Sequence, residues 1–351
     1  MENKFENLFI TGTPYQLIAA FNICKELYAS SKYFNIIYFT RSEATDYNLL
    51  KLEVDSNIDI IRFDINDWYH LANSLRSKRF NRFFFFLENS IYDKYLAYYL
   101  KRNGTIICLA PDGTKPYGIY KKKHETLSML IDTWRDYKLL RARGLKLPDL
   151  IWSRYYRYGS LKFLDEVWLQ FPELFNSRIN KTKGKIVRMP ELKKHNLIML
   201  KKIFGFTSNL LVQNKNIILY FNQPFSSKAL IDKEMDILSK LNERFPDKKI
   251  FVKLHPSTPN NNVELLSAIP YLFLIKDKMP AEFYLANISN SLILTGWSAA
   301  VMHLFKEQSN TCYYLYPMYA DVDDKVMSQM NLIAFPHVQM IGDFGQLNWS
   351  H

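Results

Sequence analysis

Short, continuously apolar runs alternate with longer segments of helical period along most of this chain. In the first half the runs fall near residues 7–12, 34–40, 58–64, 82–88, 105–110 and 166–171. Between them lie helix-like segments such as 14–28 and 91–102. In the first of these, Leu17, Ala20, Phe21, Cys24 and Leu27 recur at the spacing of one helix face. The second half repeats the alternation, with apolar runs near 216–221, 249–254, 272–276, 291–295 and 311–316. Helical segments there cover 227–244, 281–287, 298–306 and 323–331. Strands that are apolar throughout are buried on both faces, and helical crossovers between them make the sheets parallel. Phe83 to Phe86 read as part of such a strand, since four residues are far too few to span a membrane.

The alternation breaks in residues 176–214, which are rich in Lys, Asn and Arg and carry no strand pattern. This predicts an α/β chain of two Rossmann-like lobes, 1–175 and 215–351, joined by a linker at 176–214. Parallel sheets of this kind bind ligands outside the carboxyl ends of their strands, so the two sheets are expected to face a central cleft. A length of 351 residues suits two domains of ordinary size.

Composition narrows the partners. The net charge of +12 calls for an anionic one: nucleic acid, an anionic membrane surface or an acidic small molecule. No zinc-finger spacing or aromatic RNA-binding strand motif occurs, which argues against nucleic acid. Lys121-Lys122-Lys123, Lys201-Lys202 and Arg141 with Arg143 form either a solvated basic surface or a face resting on anionic lipid. The three cysteines, Cys24, Cys108 and Cys312, are widely spaced inside apolar segments. That odd count fits no disulfide framework and points to a reducing cytoplasm. The polar start Met1-Glu2-Asn3-Lys4 does not resemble a signal peptide, and no run of 18 uncharged apolar residues is present.

Three strand ends carry candidate chemistry. Ile250 to Leu254 reads as a buried strand that delivers His255 to a turn closed by Pro256. Lys253 and His255 lie two apart, on one side of an ideal strand, where a cation and an imidazole suit a phosphorylated ligand. The alternative is a strand stop with a satisfied histidine. Leu294-Thr295-Gly296-Trp297-Ser298 reads as strand, glycine turn and helix start. Ser298 either caps that helix or joins its free N–H groups in binding an anion. Pro111-Asp112-Gly113-Thr114 is either a turn built for backbone reasons or the site of a general base at Asp112. Glu282 opens a short helix, where a carboxylate suits the helix dipole or accepts from ribose hydroxyls. No G-x-G-x-x-G, Walker sequence or H-E-x-x-H occurs, and the acidic groups Asp64 with Asp67 and Asp321 with Asp323 and Asp324 sit where turns favour Asp. A metal is not expected.

The ordered set Asp112-Gly113, Lys253-x-His255-Pro256, Glu282 and Ser298 resembles the bacterial sialyltransferases of the GT-B fold. Their motifs are an acidic pair with Gly, a His-Pro and a Ser/Thr pair. Thr13-Pro14-Tyr15-Gln16 and Asn222-Gln223-Pro224 look most like the lipooligosaccharide branch, glycosyltransferase family 52. The first acidic position is Pro111 here, and the Ser/Thr pair is reduced to Ser298-Ala299. Thr295 or backbone amides are then expected to supply the missing contact.

What the resemblance implies is inverting, metal-independent transfer of sialic acid from CMP-sialic acid to a sugar hydroxyl, commonly galactose, of a cell-surface glycan. No cofactor is implied. Asp112 would be the base, and His255, Ser298 and the following helix start would stabilise departing CMP. Lys253 and Glu282 would hold the cytidine. Thr13, Gln16, Gly113, Gln223, Pro256, Thr295 and Gly296 would line the substrate. The expected location is the cytoplasm, with peripheral contact to the inner face of the membrane. Alternatives are transfer of another CMP-linked acidic sugar, such as Kdo or legionaminic acid, or a non-catalytic nucleotide- or glycan-binding protein of capsule biogenesis.

Overall fold

The computed structural model describes residues 5–41, 52–88, 90–117, part of 134–142, 158–177, 182–204, 216–277, 279–303, 308–319, 335 and 337–349. The chain divides into two compact units, Met1–Ile203 and Phe204–His351.

The first unit holds an eight-stranded sheet. Its strands are β1 (Phe5–Thr11), β2 (Tyr33–Arg41), β3 (Leu52–Asp55), β4 (Ile58–Asp64), β5 (Arg82–Phe85), β6 (Ile106–Leu109), β7 (Glu166–Leu169) and β8 (Lys185–Arg188). They lie in the order β3-β4-β2-β1-β5-β6-β7-β8, and every pairing is parallel except that of the edge strand β3. The order reverses between β1 and β5, the topological switch point of such a sheet. Helices α1 (Pro14–Leu27), α2 (Trp68–Leu75), α3 (Ile91–Arg102) and α4 (Lys194–Ile203) accompany it. Phe83 to Phe86 are buried as expected, and Phe9 stacks on Phe84 with ring centroids 4.5 Å apart.

Four asparagines cross the strand starts on the sheet's other edge. Asn7 Nδ2 donates to Asn35 Oδ1 at 3.0 Å, and Asn81 Nδ2 donates to Asn7 Oδ1 at 3.0 Å. Asn35 Nδ2 reaches the carbonyl of Asn57, whose own amide donates to the carbonyls of Tyr28 and Ala29. Buried amides of this kind are tolerable because each finds partners.

Part of the segment expected as a linker is folded. β8 pairs with β7, and Asn196 on α4 donates to Asn22 Oδ1 at 2.9 Å and Glu26 Oε1 at 2.8 Å on α1. β8 is an edge strand with exposed lysine and arginine ends, the charged composition that protects a free edge and hides the strand pattern in sequence.

The second unit holds a fully parallel six-stranded sheet. Its strands are β9 (Ile218–Phe221), β10 (Ile250–Lys253), β11 (Leu272–Ile275), β12 (Leu292–Thr295), β13 (Thr311–Tyr314) and β14 (Gln339–Met340), in the order β11-β10-β9-β12-β13-β14. Helices α5 (Lys228–Arg244), α6 (Asn260–Ser267) and α7 (Ala281–Leu285) complete it. The switch point lies between β9 and β12. The expected helix 298–306 is a 3-10 turn over Ala299–His303 in its described part, and the expected helix 323–331 lies outside the described residues. All three cysteines are buried and free, and no helix among the described residues is long and apolar enough to cross a membrane.

Candidate active site

Register brings three loops of the second unit to one level. Phe221, the last residue of β9, pairs with Lys253 of β10 on one side and Thr295 of β12 on the other. The loops that follow carry Asn222-Gln223-Pro224, Leu254-His255-Pro256 and Gly296-Trp297-Ser298, all beside the switch point.

His255 and Pro256 are exposed in a turn closed by the Thr258 N–H donating to the His255 carbonyl at 2.9 Å. The Ser257 N–H donates to His255 Nδ1 at 3.1 Å. Partial burial of the ring and the nearby Lys253 charge lower the imidazole's pKa from its ordinary value. The ring is therefore neutral near pH 7. With Nδ1 accepting, its proton sits on Nε2. His255 thus offers an N–H donor at the sheet's mouth.

Lys253, two residues earlier, is only 4% exposed. Its ammonium donates to the carbonyls of Leu254 at 3.1 Å and Asp277 at 2.6 Å and pairs with Asp277 Oδ1 at 3.6 Å. Burial lowers its pKa, opposed by Asp277 and Glu282. The same-side alternation expected of Lys253 and His255 ends with the strand at Lys253, leaving one buried and the other exposed. Tyr284 of α7 donates to Asp277 Oδ2. Glu282, in the first turn of α7, is buried. Burial pushes its carboxyl up to about 7 against the pull of its own backbone N–H and of Lys253.

The third loop is held from within. Thr295 is fully buried, and its hydroxyl donates to the Phe221 carbonyl at 3.3 Å. The same oxygen accepts from Gln223 Nε2 at 3.2 Å and from the Ser298 N–H at 3.1 Å. Ser298 Oγ in turn accepts from the Ala300 N–H at 3.3 Å, as its capping role predicts, but the bond spans two residues and shapes a tight 3-10 turn. The dipole of a full α-helix is therefore not on offer at Ser298 within the described residues. Gly296 lies close against Gln223: a Cβ there would stand 3.1 Å from Gln223 Cγ, and that side chain would have to shift by a few tenths of an ångström.

In the first unit, Thr13 caps α1 by accepting from the Gln16 N–H at 3.3 Å, and Gln16 Oε1 accepts from the Gly12 N–H at 2.7 Å. This reciprocal pair resembles a capping box. Gln16 Nε2 is buried with no hydrogen-bond partner among the described residues. Asp112 is half-buried beyond β6, and Gly113 has φ +72°, a left-handed conformation that favours glycine. Burial raises the pKa of the Tyr158 hydroxyl, helped by Glu88, by the phenols of Tyr117 and Tyr15 and, least, by Asp112. The turn reading of Asp112-Gly113 and its placement at a strand mouth therefore both hold.

Several inward acids escaped the sequence reading, half-buried Glu88 and buried Asp93 and Glu234 among them. Glu88 lies just past β5, beside the first unit's switch point, and accepts from the N–H groups of Gly159 at 2.7 Å and Leu161 at 3.2 Å. Burial pushes it up to about 7. A carboxylate ending the run Phe83 to Phe86 was the available signal. Glu234 on α5 is buried and likewise pushed up to about 7 by burial. Among the described residues no three His, Cys, Asp or Glu side chains gather as metal ligands, and Asp321, Asp323 and Asp324 lie outside those residues.

Comparison with solved structures fixes the fold. The chain is similar to a sialyltransferase from Photobacterium damsela, with 14% identity, coverage of 96% of this chain and 81% of the other, and a TM-score of 0.52. It is also similar to the glycotransferase of kitacinnamycin, with 10% identity, 99% and 88% coverage and a TM-score of 0.53. MnaA of S. aureus, solved with UDP, gives 12%, 96% and 93%, and 0.54. The two parallel-sheet units are those of a GT-B fold. No curated protein sequence matches the chain. The family model described as alpha-2,8-polysialyltransferase (POLYST) matches residues 7–314, a span that takes in Asp112, His255, Glu282 and Ser298. The chain belongs to this alpha-2,8-polysialyltransferase family and is a sialyltransferase.

Proposed function

We propose that the enzyme moves sialic acid from CMP-sialic acid to a hydroxyl of a cell-surface glycan, by a single inverting displacement without a metal. The observation that carries this reading is the exposed, neutral His255 ring, held with its Nε2–H available at the switch point of the second sheet. That N–H donates to the phosphate oxygen on which charge grows as CMP leaves. The Ser298 hydroxyl donates to the same phosphate, and buried Lys253 behind the His255 loop adds positive potential for a donor bearing both a phosphodiester and a carboxylate. Asp112, on the other unit, takes the proton of the acceptor hydroxyl as it attacks C2 of the sugar.

The acceptor in this reading is either galactose, as on a lipooligosaccharide, or a terminal sialic acid, as the name of the matching family favours. Peripheral contact with anionic membrane on the cytoplasmic side is part of the same proposal. Its support is the exposed Trp134, whose ring lies 3.6 Å from Lys138 Nζ, together with exposed Arg141. Incubation with CMP-sialic acid, CMP-Kdo and UDP-GlcNAc, each with galactose-terminated and sialylated acceptors, tests the reading through nucleotide release and acceptor mass. Transfer of sialic acid alone is expected, and preference for another donor would overturn it.

A further inference from the structure

The helix α5 packs on the sheet through Leu230, Ile237, Leu238 and Leu241, and one position of that buried stripe is an acid. Glu234 is 1% exposed, and among the described residues no lysine, arginine or histidine pairs with it. A leucine there would satisfy the helix at no desolvation cost. The carboxyl is instead filled by donors from β9 and the switch-point loop that follows it. Tyr220 Oη donates to Oε1 at 2.9 Å, the Gln223 N–H to Oε1 at 3.4 Å, and Asn222 Nδ2 to Oε2 at 2.9 Å.

Two arms leave these contacts. Because Asn222 turns its NH2 toward Glu234, its Oδ1 faces the His255 turn, where it accepts from Thr258 Oγ1 at 2.5 Å and from the His255 N–H at 3.5 Å. Gln223, whose backbone is fixed by the same carboxyl, reaches across to Thr295 Oγ1, which holds the Ser298 N–H. We propose that Glu234 is a positioning residue, anchoring through Asn222 and Gln223 both the turn that presents His255 and the turn that presents Ser298. This deepens the functional reading above and rests on it for the roles of the two turns.

The arms predict what loss of Glu234 does. Without an acceptor, Asn222 is free to flip its amide, and the 255–258 turn loses the Thr258 and His255 bonds. The Ser257 N–H then leaves Nδ1, which removes a bond made only by the unprotonated nitrogen. His255 should titrate at a higher pH and populate its Nδ1–H tautomer. Histidine ring NMR on the full chain, with signals identified by His255→Ala, reads both quantities without needing turnover. Glu234→Gln is expected to shift His255 in this way while the buried His303 keeps its signals, and to lower kcat roughly tenfold. Thr258→Val cuts only the outer arm and should shift His255 in the same direction. An unchanged His255 in a folded Glu234→Gln protein would overturn the proposal. If that variant does not fold, an unchanged His255 in Thr258→Val does so. Failure of the functional reading is separate, since it would show as wild-type enzyme that releases no CMP from CMP-sialic acid.

Discussion

The Ser257 N–H points at His255 Nδ1 from 3.1 Å, so the neutral ring has one donor left, Nε2–H. This bond converts a surface histidine into an oriented hydrogen-bond donor of fixed tautomer. Partial burial and the nearby Lys253 charge lower its basicity, which keeps the ring uncharged near neutrality.

Removing that donor should be felt in turnover and little in folding, since the His255 side chain is exposed. His255→Ala is expected to lower kcat by about 100-fold or more. Steady-state assays paired with circular dichroism check this, and a folded variant with near-normal turnover would return His255 to a structural role.

In the proposed reading Asp112→Asn removes the base while keeping volume and turn geometry. A group that acts on the acceptor hydroxyl should contribute little to nucleotide affinity. CMP binding by calorimetry is therefore expected within a few-fold of wild type, with transfer reduced by roughly 100-fold or more. Intact transfer would take Asp112 out of the mechanism.

Departure of CMP in this reading relies on N–H donors and side-chain cations. Activity is expected to be undiminished in EDTA. Loss of turnover on chelation with recovery in magnesium or manganese would contradict this and direct attention to Asp321, Asp323 and Asp324 as ligands.

Four carboxyls, half-buried Glu88 and buried Asp93, Glu234 and Glu282, are each pushed up to about 7 by desolvation. Their unfolded values are the ordinary 4.5 for Glu and 3.8 for Asp. Between those values and about 7 the native state binds the extra protons, so these groups make stability fall as pH rises through that range. His303, lowered to about 3 by burial, acts in the opposite sense below its unfolded value of 6.5. Above the unfolded histidine value of 6.5 the opposition from His303 has faded, so the melting temperature should decline as pH rises from about 6.5 through about 7. Asp93→Asn should flatten the slope of melting temperature against pH, and an unchanged slope would count against a raised Asp93.

Periodicity carried much of this architecture. Segment 91–102 is a helix over those same residues, 58–64 is a strand over those same residues, and Asp112, His255 and Ser298 all follow strands where expected. What escaped was decided by contacts between distant segments. Glu234 fell inside a convincing amphipathic helix, and only the amides and phenol above it show why an acid occupies a leucine position. The charged edge strand β8 concealed itself by the composition that keeps it soluble. Short elements such as α2, α6 and β14 offered too few residues for a period to register. Thr295, expected to help hold the substrate, has its hydroxyl engaged by three internal partners that no local spacing reveals.

The asparagines that cross β4, β2, β1 and β5 join strand starts, at the end of the sheet away from Asp112 and Thr13. A one-residue slip in a buried strand exchanges its faces, and here it would also break the amide-to-amide bonds that link Asn7 to Asn35 and Asn81. Strand alignment in the first unit is thus settled at the strand-start end, away from the proposed base. The loops at the opposite end can lengthen, shorten or change residues without putting that alignment at risk. If Asp112 serves the acceptor as proposed, a sheet fastened this way makes grafts at 12–13, 86–90 and 111–114 the natural place to alter acceptor preference.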